Sequence, residues 1–408
     1  MTSLWKKLMK EIDILIIGGG VTGLSLASFL NDKDYLIIEK ENELGGYCKT
    51  TIRGDYVWDY SGHFFHFRNE EIKNYVLSEI DCELLEVNKI TDIYYQGKII
   101  DFPFQHNISQ LDKEEYDECL TDLKNCVSED RSTFKNYVRS TLGNGICDKF
   151  IIPYNEKLYA CDLNELEFDS MGRFFPKPPQ ENINVSYNDT FIYPINGSYE
   201  YIKSILKRVD QSKIQLNTNV IDIDLYNKIV RTNNGDIRFN KLVSTLPFNK
   251  LLDLTKQRYN LSANKVAVFN LGFDKGSDIK THWRYYPNDE VFYRVGFYNN
   301  ILGQEKLSLY VEIGLEKDDL VDEIDLLDTV LNDLRKTNVI SDHKLVDHQF
   351  LIMNPAYVHI TNDSKNTYSQ WCEKHNPKNI FSIGRYGEWT YCSIEDNILK
   401  SKEISSYL

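Results

Sequence analysis

The segment Gly18–Gly23 has glycine at its first, third and sixth positions, the pattern G-x-G-x-x-G. In this pattern Gly18 permits a tight turn, Gly20 lets the backbone approach a pyrophosphate, and Gly23 lets a helix pack closely on a sheet. A helix that begins here would direct free N–H groups and its positive dipole end at phosphates. Glu39 stands where a carboxylate would accept hydrogen bonds from ribose hydroxyls. The spacing predicts a dinucleotide-binding site.

The residues around these glycines have the pattern of a strand, a helix and a second strand. Residues 12–17 are nearly all apolar, as a strand buried on both faces of a parallel sheet requires. Apolar residues then recur at helical spacing over residues 20–30, and residues 35–39 form a second, mostly apolar run that ends at a glutamate. The glycine pattern therefore lies between a strand and a helix, which is the context in which it binds dinucleotides.

A second glycine pair, Gly45-Gly46, follows a few residues beyond Glu39. This arrangement resembles the flavoenzymes that include amine oxidases, protoporphyrinogen oxidase and UDP-galactopyranose mutase, in which such a pair approaches FAD. The segment from Asn379 to Arg385 is similar to the C-terminal segment that closes over the flavin in those families. The resemblance implies FAD as the cofactor, bound by Gly18, Gly20, Thr22, Gly23, Glu39, Gly45, Gly46, His63 and Arg385.

The composition is that of a folded, acidic protein. The chain has 408 residues, 42% hydrophobic and 26% charged, close to the averages of globular proteins. At roughly 150 residues per domain its length suggests two or three domains. The formal net charge of −14 argues against nucleic acid or anionic lipid as a partner, because both require a basic surface.

The cysteines and the hydropathy pattern indicate an intracellular protein. The eight cysteines are scattered without C-x-x-C spacing, which predicts reduced thiols and no metal site. No apolar run approaches the length of about 18 residues that a membrane span needs. We therefore expect no membrane association and a cytoplasmic location. The sequence leaves the oligomeric state open.

The remaining patterns predict an α/β protein in three parts. Residues 109–150 carry apolar positions at helical spacing, and residues 180–365 contain short alternating segments typical of antiparallel strands. We predict a Rossmann-like FAD-binding domain with an inserted helical domain and an antiparallel β-sheet substrate domain. The predicted boundaries are 1–87, 196–262 and 370–408 for the FAD-binding domain, 105–175 for the helical domain, and 88–104, 176–195 and 263–369 for the sheet domain.

Several segments between about residue 12 and residue 400 resemble the UDP-galactopyranose mutase family, closest to its eukaryotic type. The run from Gly384 to Tyr391, G-R-Y-G-E-W-T-Y, is the most specific match. The run from Trp58 to His66 is similar to the family's Asp-x-Gly-Gly-His segment, with Ser61 in place of the first glycine. The resemblance implies that His63 lies beside the flavin ring.

Further matching segments imply a substrate site for a nucleoside diphosphate sugar. F-P-F-Q at residues 102–105 resembles the segment that encloses the nucleobase, and P-Y-N-E-K at residues 153–157 is close to the family's P-Y-N-x-K motif. The resemblance implies His63, Arg173 and Arg294 as catalytic residues. The implied substrate-binding residues are Phe102, Phe104, Gln105, Asn155, Arg173, Asn188, Tyr285, Arg294, Tyr357 and Tyr391.

This set of residues is chemically coherent for a diphosphate. Guanidinium groups bind phosphate in planar, bidentate fashion, and phenolic hydroxyls can complete the shell. The resemblance implies a mutase that interconverts pyranose and furanose forms of a nucleotide sugar, a UDP-sugar by default, in which N5 of reduced FAD is the nucleophile on the anomeric carbon. Stacking and phosphate contacts favour no single base or sugar.

Two other functions are compatible with the same FAD-binding pattern. One is an FAD-dependent oxidoreductase of the amine oxidase or protoporphyrinogen oxidase type, against which the arginines and tyrosines argue. The other is a catalytically silent flavin-binding protein, which the departures Ser61, Phe102 and Cys392 from the family pattern favour slightly. The presence of both arginines, Arg173 and Arg294, argues for an active enzyme.

Overall fold

The protein is described by a computed structural model that covers residues 9–126, 128–172 and 190–408. One of its two large sheets contains the strands predicted around the glycine pattern. Its strands are β1 (Lys10–Ile17), β2 (Tyr35–Ile38), β9 (Ile214–Gln215), β10 (Val220–Asp224), β11 (Ile229–Thr232), β12 (Gly235–Ser244) and β18 (Ile380–Ser382). They lie in the order β10-β11-β12-β1-β2-β9, with β18 paired to β12. The pairs β12-β1, β1-β2, β2-β9 and β12-β18 are parallel.

Strand β1 is apolar throughout its second half because both of its faces are buried. Ile14 and Ile16 pack with residues of the helices on one side of the sheet, and Leu15 and Ile17 pack with residues of the helices on the other side. All four side chains are at most 2% exposed. A strand between two helical layers has no solvent face, so its sequence does not alternate between apolar and polar residues. The predicted parallel, Rossmann-like sheet is confirmed.

The second large sheet has the order β17-β13-β16-β15-β14-β6-β7, and every pair in it is antiparallel except β14-β6. Residues 266–271 and 307–313, predicted as antiparallel strands, fall almost entirely within two neighbouring strands of this sheet, which start at residues 265 and 308. The predicted antiparallel sheet is therefore confirmed. Its strands are β6 (Thr91–Tyr95), β7 (Lys98–Asp101), β13 (Lys265–Phe273), β14 (Trp283–Tyr285), β15 (Arg294–Phe297), β16 (Ser308–Leu315) and β17 (Leu345–Met353).

Two short antiparallel ribbons lie outside the large sheets. The first pairs β3 (Thr50–Arg53) with β4 (Tyr56–Asp59), and the second pairs β5 (Leu84–Asn88) with β8 (Thr190–Pro194). Strand β8 lies in the predicted segment 176–195 and leads into the next helix, which begins at residue 199.

The helices cover both faces of the parallel sheet and include the predicted helical insertion. Within residues 109–150, predicted to be helical, the described residues contain α-helices at 113–124 and 134–146. In the described part of the chain, no helix combines the length and the apolarity needed to cross a membrane. The helices are α1 (Val21–Ser28), α2 (Glu70–Leu77), α3 (Lys113–Lys124), α4 (Phe134–Ile146), α5 (Ile152–Tyr159), α6 (Tyr199–Leu206), α7 (Phe248–Leu254), α8 (Tyr298–Leu302), α9 (Glu323–Lys336), α10 (Asn362–His375) and α11 (Ile394–Ser405).

A buried carboxylate, Asp59 at the end of β4, connects the two halves of the molecule. Its side chain accepts hydrogen bonds from the hydroxyls of Thr50 (2.5 Å) and Tyr193 (2.7 Å) and from the backbone N–H of Ser198 (3.1 Å). Its backbone carbonyl accepts a hydrogen bond of 2.9 Å from Asn270 in the antiparallel sheet. Burial raises the pKa of Asp59 to about 6, although these hydrogen bonds lower it.

The raised pKa of Asp59 gives the folded protein a testable pH dependence. The folded state binds this proton more tightly than the unfolded state, whose pKa is near 3.9. Protonation therefore stabilises the fold fully below pH of about 4, and this contribution is lost as the pH rises through about 6. A shift of this size corresponds to roughly 3 kcal/mol. We expect the free energy of unfolding, relative to Asp59→Asn, to fall between pH 4 and pH 6.5.

Urea titrations of both proteins at several pH values measure this difference, with Asp55→Asn as the control. Asp55 lies in the same ribbon but is exposed and pairs with Lys306 at 2.8 Å. Its replacement should therefore leave the change in unfolding free energy between pH 4 and pH 6.5 close to that of wild type. A difference between wild type and Asp59→Asn that stayed constant or grew with pH would contradict the raised pKa.

Candidate functional site

The glycine turn between β1 and α1 forms a cradle of backbone atoms. Gly18 has a φ of 106°, a conformation that glycine adopts without steric penalty. A Cβ at position 23 would lie 2.0 Å from the carbonyl oxygen of Gly18, so Gly23 is required for the helix to pack on the turn. At Gly20 the nearest atom to an added Cβ is the Cα of Gly46, at 3.8 Å. Open space therefore lies in front of Gly20.

Glu39 and the second glycine pair close the cradle from the adjacent side. Glu39 accepts hydrogen bonds from the backbone N–H groups of Gly19 (2.7 Å) and Glu41 (3.0 Å), one on each carboxylate oxygen. The N–H of Gly45 donates to the carbonyl of Gly19 at 2.8 Å. Gly45 and Gly46 have φ values of 111° and 61°. The two glycine segments are therefore in direct contact, and Glu39 is held at their edge.

Helix α11 and the turn before it complete this part of the wall. The side-chain oxygen of Asn397 accepts the backbone N–H of Arg385 at 2.7 Å and the hydroxyl of Thr22 at 3.3 Å. Gly384, with a φ of 91°, packs directly on Thr22. Asn397 was not among the predicted residues. The sequence feature that could have indicated it is Ser393, because Ser393 caps the helix that carries Asn397.

One continuous cavity of about 1270 Å³ joins the glycine cradle to the antiparallel sheet. It is larger than the range of roughly 300–1,000 Å³ typical of a pocket for a single small ligand. The structure therefore brings most of the predicted residues together around a space for more than one ligand group. Those that line it are Gly18, Gly20, Thr22, Glu39, Gly45, Gly46, His63, Phe102, Gln105, Asn155, Tyr285, Arg294, Tyr357, Arg385 and Tyr391.

Two of the described predicted residues do not line this cavity. Gly23 supports the turn from behind, as its predicted packing role requires. Phe104 is fully buried and stacks on Phe150, with 5.3 Å between ring centroids. The expectation that Phe104 contacts the substrate therefore needs correction, because its ring packs behind the wall that Phe102 and Gln105 form. Arg173 and Asn188 lie outside the described residues.

His63 lies on the cavity wall, where the positive charges of Arg385 and Arg294 both act on it. Burial, and next the positive charge of Arg385, lower the pKa of His63 to about 4, so the ring is neutral at pH 7. Its backbone N–H donates to the carbonyl of Ser61 at 2.8 Å. Nδ1 is buried and meets no hydrogen-bonding partner in the described part of the chain. An unpaired buried polar atom is destabilising, so this position of the His63 ring has an energetic cost.

Arg294 extends from β15 and pairs with Glu312 on the neighbouring strand β16. The two residues are directly opposite in the strand register. The Nε of Arg294 donates to one oxygen of the Glu312 carboxylate, and the hydroxyl of Ser61 donates to the other. Burial acts to lower the pKa of Arg294, but Glu312, Tyr357 and Tyr310 together raise that pKa well above its usual value. Sequence reasoning missed Glu312, because only the strand pairing brings it to Arg294.

Arg385 is held by aromatic rings and a carbonyl. Its guanidinium carbon lies 4.4 Å from the ring centroid of Tyr391 and 5.6 Å from that of Tyr357, within the range of cation–π attraction. Its terminal nitrogen donates to the carbonyl of Cys392 at 3.0 Å. The rings of Tyr357 and Tyr391 are themselves stacked, 6.0 Å apart. These contacts place a guanidinium and two phenols on one wall.

Aromatic residues form the remaining wall beside Arg294. The ring centroid of Tyr285 lies 5.2 Å from that of Phe102 and 5.0 Å from that of Tyr154. The Tyr285 hydroxyl accepts a hydrogen bond of 3.0 Å from Trp283. The amide nitrogen of Asn155 donates within its own helix region, while its buried oxygen meets no partner among the residues described. The wall thus combines apolar faces with phenolic and amide groups.

The fold and the site define a protein with a Rossmann-like domain whose glycine cradle opens into a cavity that reaches the antiparallel sheet. The family described as the NAD(P)-binding Rossmann-like domain matches residues 16–77. Among solved structures, reduced UDP-galactopyranose mutase has a TM-score of 0.90 at 21% identity, covering 97% of this chain and 93% of that one. A putative protoporphyrinogen oxidase from Exiguobacterium sp. 255-15 has a TM-score of 0.79 at 16% identity, covering 100% and 99%.

Two curated relatives match shorter segments. Protoporphyrinogen oxidase 1 of the Spinacia oleracea chloroplast is 24% identical over 170 residues, 38% of this chain and 30% of that protein. UDP-galactopyranose mutase of Mycoplasma genitalium is 34% identical over 73 residues, 17% of this chain and 18% of that protein. The alignments therefore span less than a third of these relatives' own length. The structural matches show the fold, and the Rossmann-like domain and that fold support a flavin cofactor.

The geometry of the glycine turn predicts different outcomes for two glycine substitutions. Gly20→Val places a side chain in open cavity space without a clash in the fold, so we expect a folded protein that no longer binds the flavin dinucleotide. Gly23→Ala would bring a methyl group 2.0 Å from the carbonyl of Gly18, so we expect loss of folding itself.

Absorbance of the bound flavin after reconstitution, circular dichroism and thermal unfolding measure these outcomes, with cofactor-free wild type as the reference for the fold. A Gly20→Val protein that bound flavin like wild type would show that the cofactor does not approach this turn.

Proposed function

We propose that this protein is an FAD-dependent mutase that interconverts the pyranose and furanose forms of a nucleotide sugar, with a UDP-sugar as the favoured substrate class. The observation that carries the proposal is that two arginines and three tyrosines share one continuous cavity with the dinucleotide cradle. They are Arg294, Arg385, Tyr285, Tyr357 and Tyr391. In a protein with a formal net charge of −14, two guanidinium groups converging on a cavity indicate an anionic ligand.

The residues of the cradle fit FAD. Gly20 leaves open space for a pyrophosphate beside the N-terminus of α1, and Glu39 lies where a ribose would be bound. His63 lines the same cavity as the cradle and Arg294. When bound and reduced, FAD would supply the electron pair that attacks the anomeric carbon.

Arg294 and the tyrosines would hold the diphosphate of the substrate, which is the leaving group of this reaction. The Arg294 guanidinium stays charged at every working pH because Glu312 raises its pKa. Burial raises the pKa of Tyr285 and of Tyr357 above the usual value, so both hydroxyls stay protonated and can donate hydrogen bonds. A preorganised set of donors stabilises negative charge that develops on a departing oxygen.

The aromatic wall would exclude water from the reacting sugar. Phe102, Tyr154 and Tyr285 pack face to edge or tilted against one another beside Arg294. Apolar surface around a charged group lowers the local dielectric constant and strengthens its attraction for a phosphate. The same wall offers Phe102 as a face on which a nucleobase can stack.

An oxidoreductase of the protoporphyrinogen oxidase type is the second candidate. It is favoured by the similarity of the fold to the Exiguobacterium protein and by the chloroplast relative. An apolar substrate, however, would remove water from the guanidinium groups of Arg294 and Arg385 without supplying further acceptors, which is unfavourable. The charged wall therefore favours the mutase.

Product analysis under two redox conditions separates the two candidates. The protein, loaded with FAD and reduced with dithionite, is incubated with UDP, dTDP, GDP and CDP sugars, and furanose products are sought by chromatography. The mutase proposal predicts furanose formation by the reduced protein and none by the oxidised protein. Oxygen consumption with an amine or porphyrinogen, together with no furanose from any nucleotide sugar, would favour the oxidoreductase.

Substitution of Arg294 by lysine tests the placement of the diphosphate. Lysine keeps the positive charge beside Glu312 but loses the planar guanidinium, so we expect kcat/KM to fall by about tenfold to a hundredfold, the effect of losing one hydrogen bond to a charged group. Flavin content and its spectrum stay as in wild type.

Arg284→Lys is the matched control. Arg284 is also buried and paired with a carboxylate, Asp92, at 2.6 and 2.9 Å, but it does not line the cavity. Its replacement should affect stability and leave kcat/KM near the wild-type value. Equal kinetic effects of the two substitutions would place the diphosphate away from Arg294.

A further inference from the structure

Ser61 has a backbone conformation that normally favours glycine. Its φ is 87°, and a residue with a Cβ adopts such an angle only at an energetic cost. Ser61 is also buried, with 4% of its surface exposed. A serine at a buried position where glycine would be less strained indicates that its hydroxyl makes an interaction that offsets the strain.

The hydroxyl of Ser61 bonds to the partner of Arg294. It donates to one carboxylate oxygen of Glu312, and the other oxygen of Glu312 accepts from the Nε of Arg294. The side chain of Glu312 is 1% exposed, whereas that of Arg294 is 20% exposed and reaches the cavity. Each carboxylate oxygen of Glu312 therefore has a different donor.

The second buried arginine pair in the same sheet shows the alternative arrangement. Arg284 binds Asp92 through two parallel hydrogen bonds, from Nε at 2.6 Å and from a terminal nitrogen at 2.9 Å, one to each carboxylate oxygen. This two-point arrangement is a common and stable geometry for arginine and a carboxylate. It occupies one whole edge of the guanidinium.

We propose that Ser61 is a positioning residue for Arg294. By occupying one oxygen of Glu312, its hydroxyl keeps the carboxylate bonded to Arg294 through Nε and prevents the two-point arrangement seen for Arg284. The terminal nitrogens of Arg294 then stay directed to an anion in the cavity. This inference rests on the proposed function, in which that anion is the diphosphate of a nucleotide sugar.

The proposal predicts weaker diphosphate binding without the Ser61 hydroxyl. In Ser61→Gly the backbone strain is relieved, so the fold stays at least as stable, while Glu312 is free to take up a terminal nitrogen of Arg294. We expect the Kd for UDP to rise by about tenfold, the effect of weakening one hydrogen bond to a charged group. Ser61→Ala, which keeps the Cβ and lacks the hydroxyl, should give the same increase.

A double-mutant cycle tests whether Ser61 acts through Glu312. UDP is titrated calorimetrically into FAD-loaded wild type, Ser61→Gly, Glu312→Gln and the double variant. An uncharged amide has little tendency to draw the guanidinium into a two-point pair, so Ser61→Gly should have no further effect in the Glu312→Gln background. Asn338→Gly is the control, because Asn338 also has a positive φ, 57°, but is exposed and remote from the cavity. It should leave the Kd unchanged.

The outcomes distinguish this inference from the function on which it rests. If wild type binds UDP and both Ser61 variants bind it equally tightly, Ser61 does not position Arg294 and the proposed function stands. An equal loss of affinity from Ser61→Gly in both Glu312 backgrounds would also overturn the positioning role. If wild type binds no nucleoside diphosphate, tested with UDP, dTDP, GDP and CDP, the proposed function and this inference both fail.

Discussion

The carboxylate of Asp59 fixes how the two halves of the site meet. Hydrogen bonds to it come from Thr50, Tyr193 and Ser198, and its carbonyl accepts from Asn270 in the antiparallel sheet. A buried carboxylate is tolerated only when its oxygens are bonded, so these four segments are held in one arrangement. The loop that follows Asp59 therefore enters the cavity at a fixed point and carries its serine and histidine to the wall between the cradle and the antiparallel sheet.

Two arginines of the cavity, Arg294 and Arg385, are stabilised in different ways. Arg294 is paired with the carboxylate of Glu312, whereas the partners of Arg385 are the rings of Tyr357 and Tyr391 and a carbonyl oxygen. Within the described residues, the Arg294 pair is close to neutral, and Arg385 adds positive charge to the wall. Arg385 therefore contributes more to the attraction of an anion, and Arg294 contributes more to its orientation.

Local sequence patterns predicted the cradle, because the turn at Gly18 and the packing of Gly23 on the Gly18 carbonyl lie within six residues of sequence. The apolar run of β1 and the alternating strands were readable for the same reason, since periodicity reports burial directly. Glu312 and Asn397 were missed because their roles depend on strand pairing and helix docking between distant segments. Phe104 was predicted to bind the substrate, but its ring packs behind the cavity wall. An aromatic residue packs equally well on a wall or behind it, and the sequence does not distinguish these two positions.

The fold by itself does not choose between the activities of the proteins that share it. Structures named as a mutase and as an oxidase both cover nearly the whole chain, with TM-scores of 0.90 and 0.79, and function depends on the site rather than on the fold. The candidate substrates differ in how well they would replace the water around the guanidinium groups of Arg294 and Arg385. An apolar ligand would remove their water without replacing its hydrogen bonds, whereas a diphosphate would provide both charge and acceptors. Under the proposed function, the arginine and tyrosine wall would therefore bind a nucleoside diphosphate more favourably than an apolar substrate.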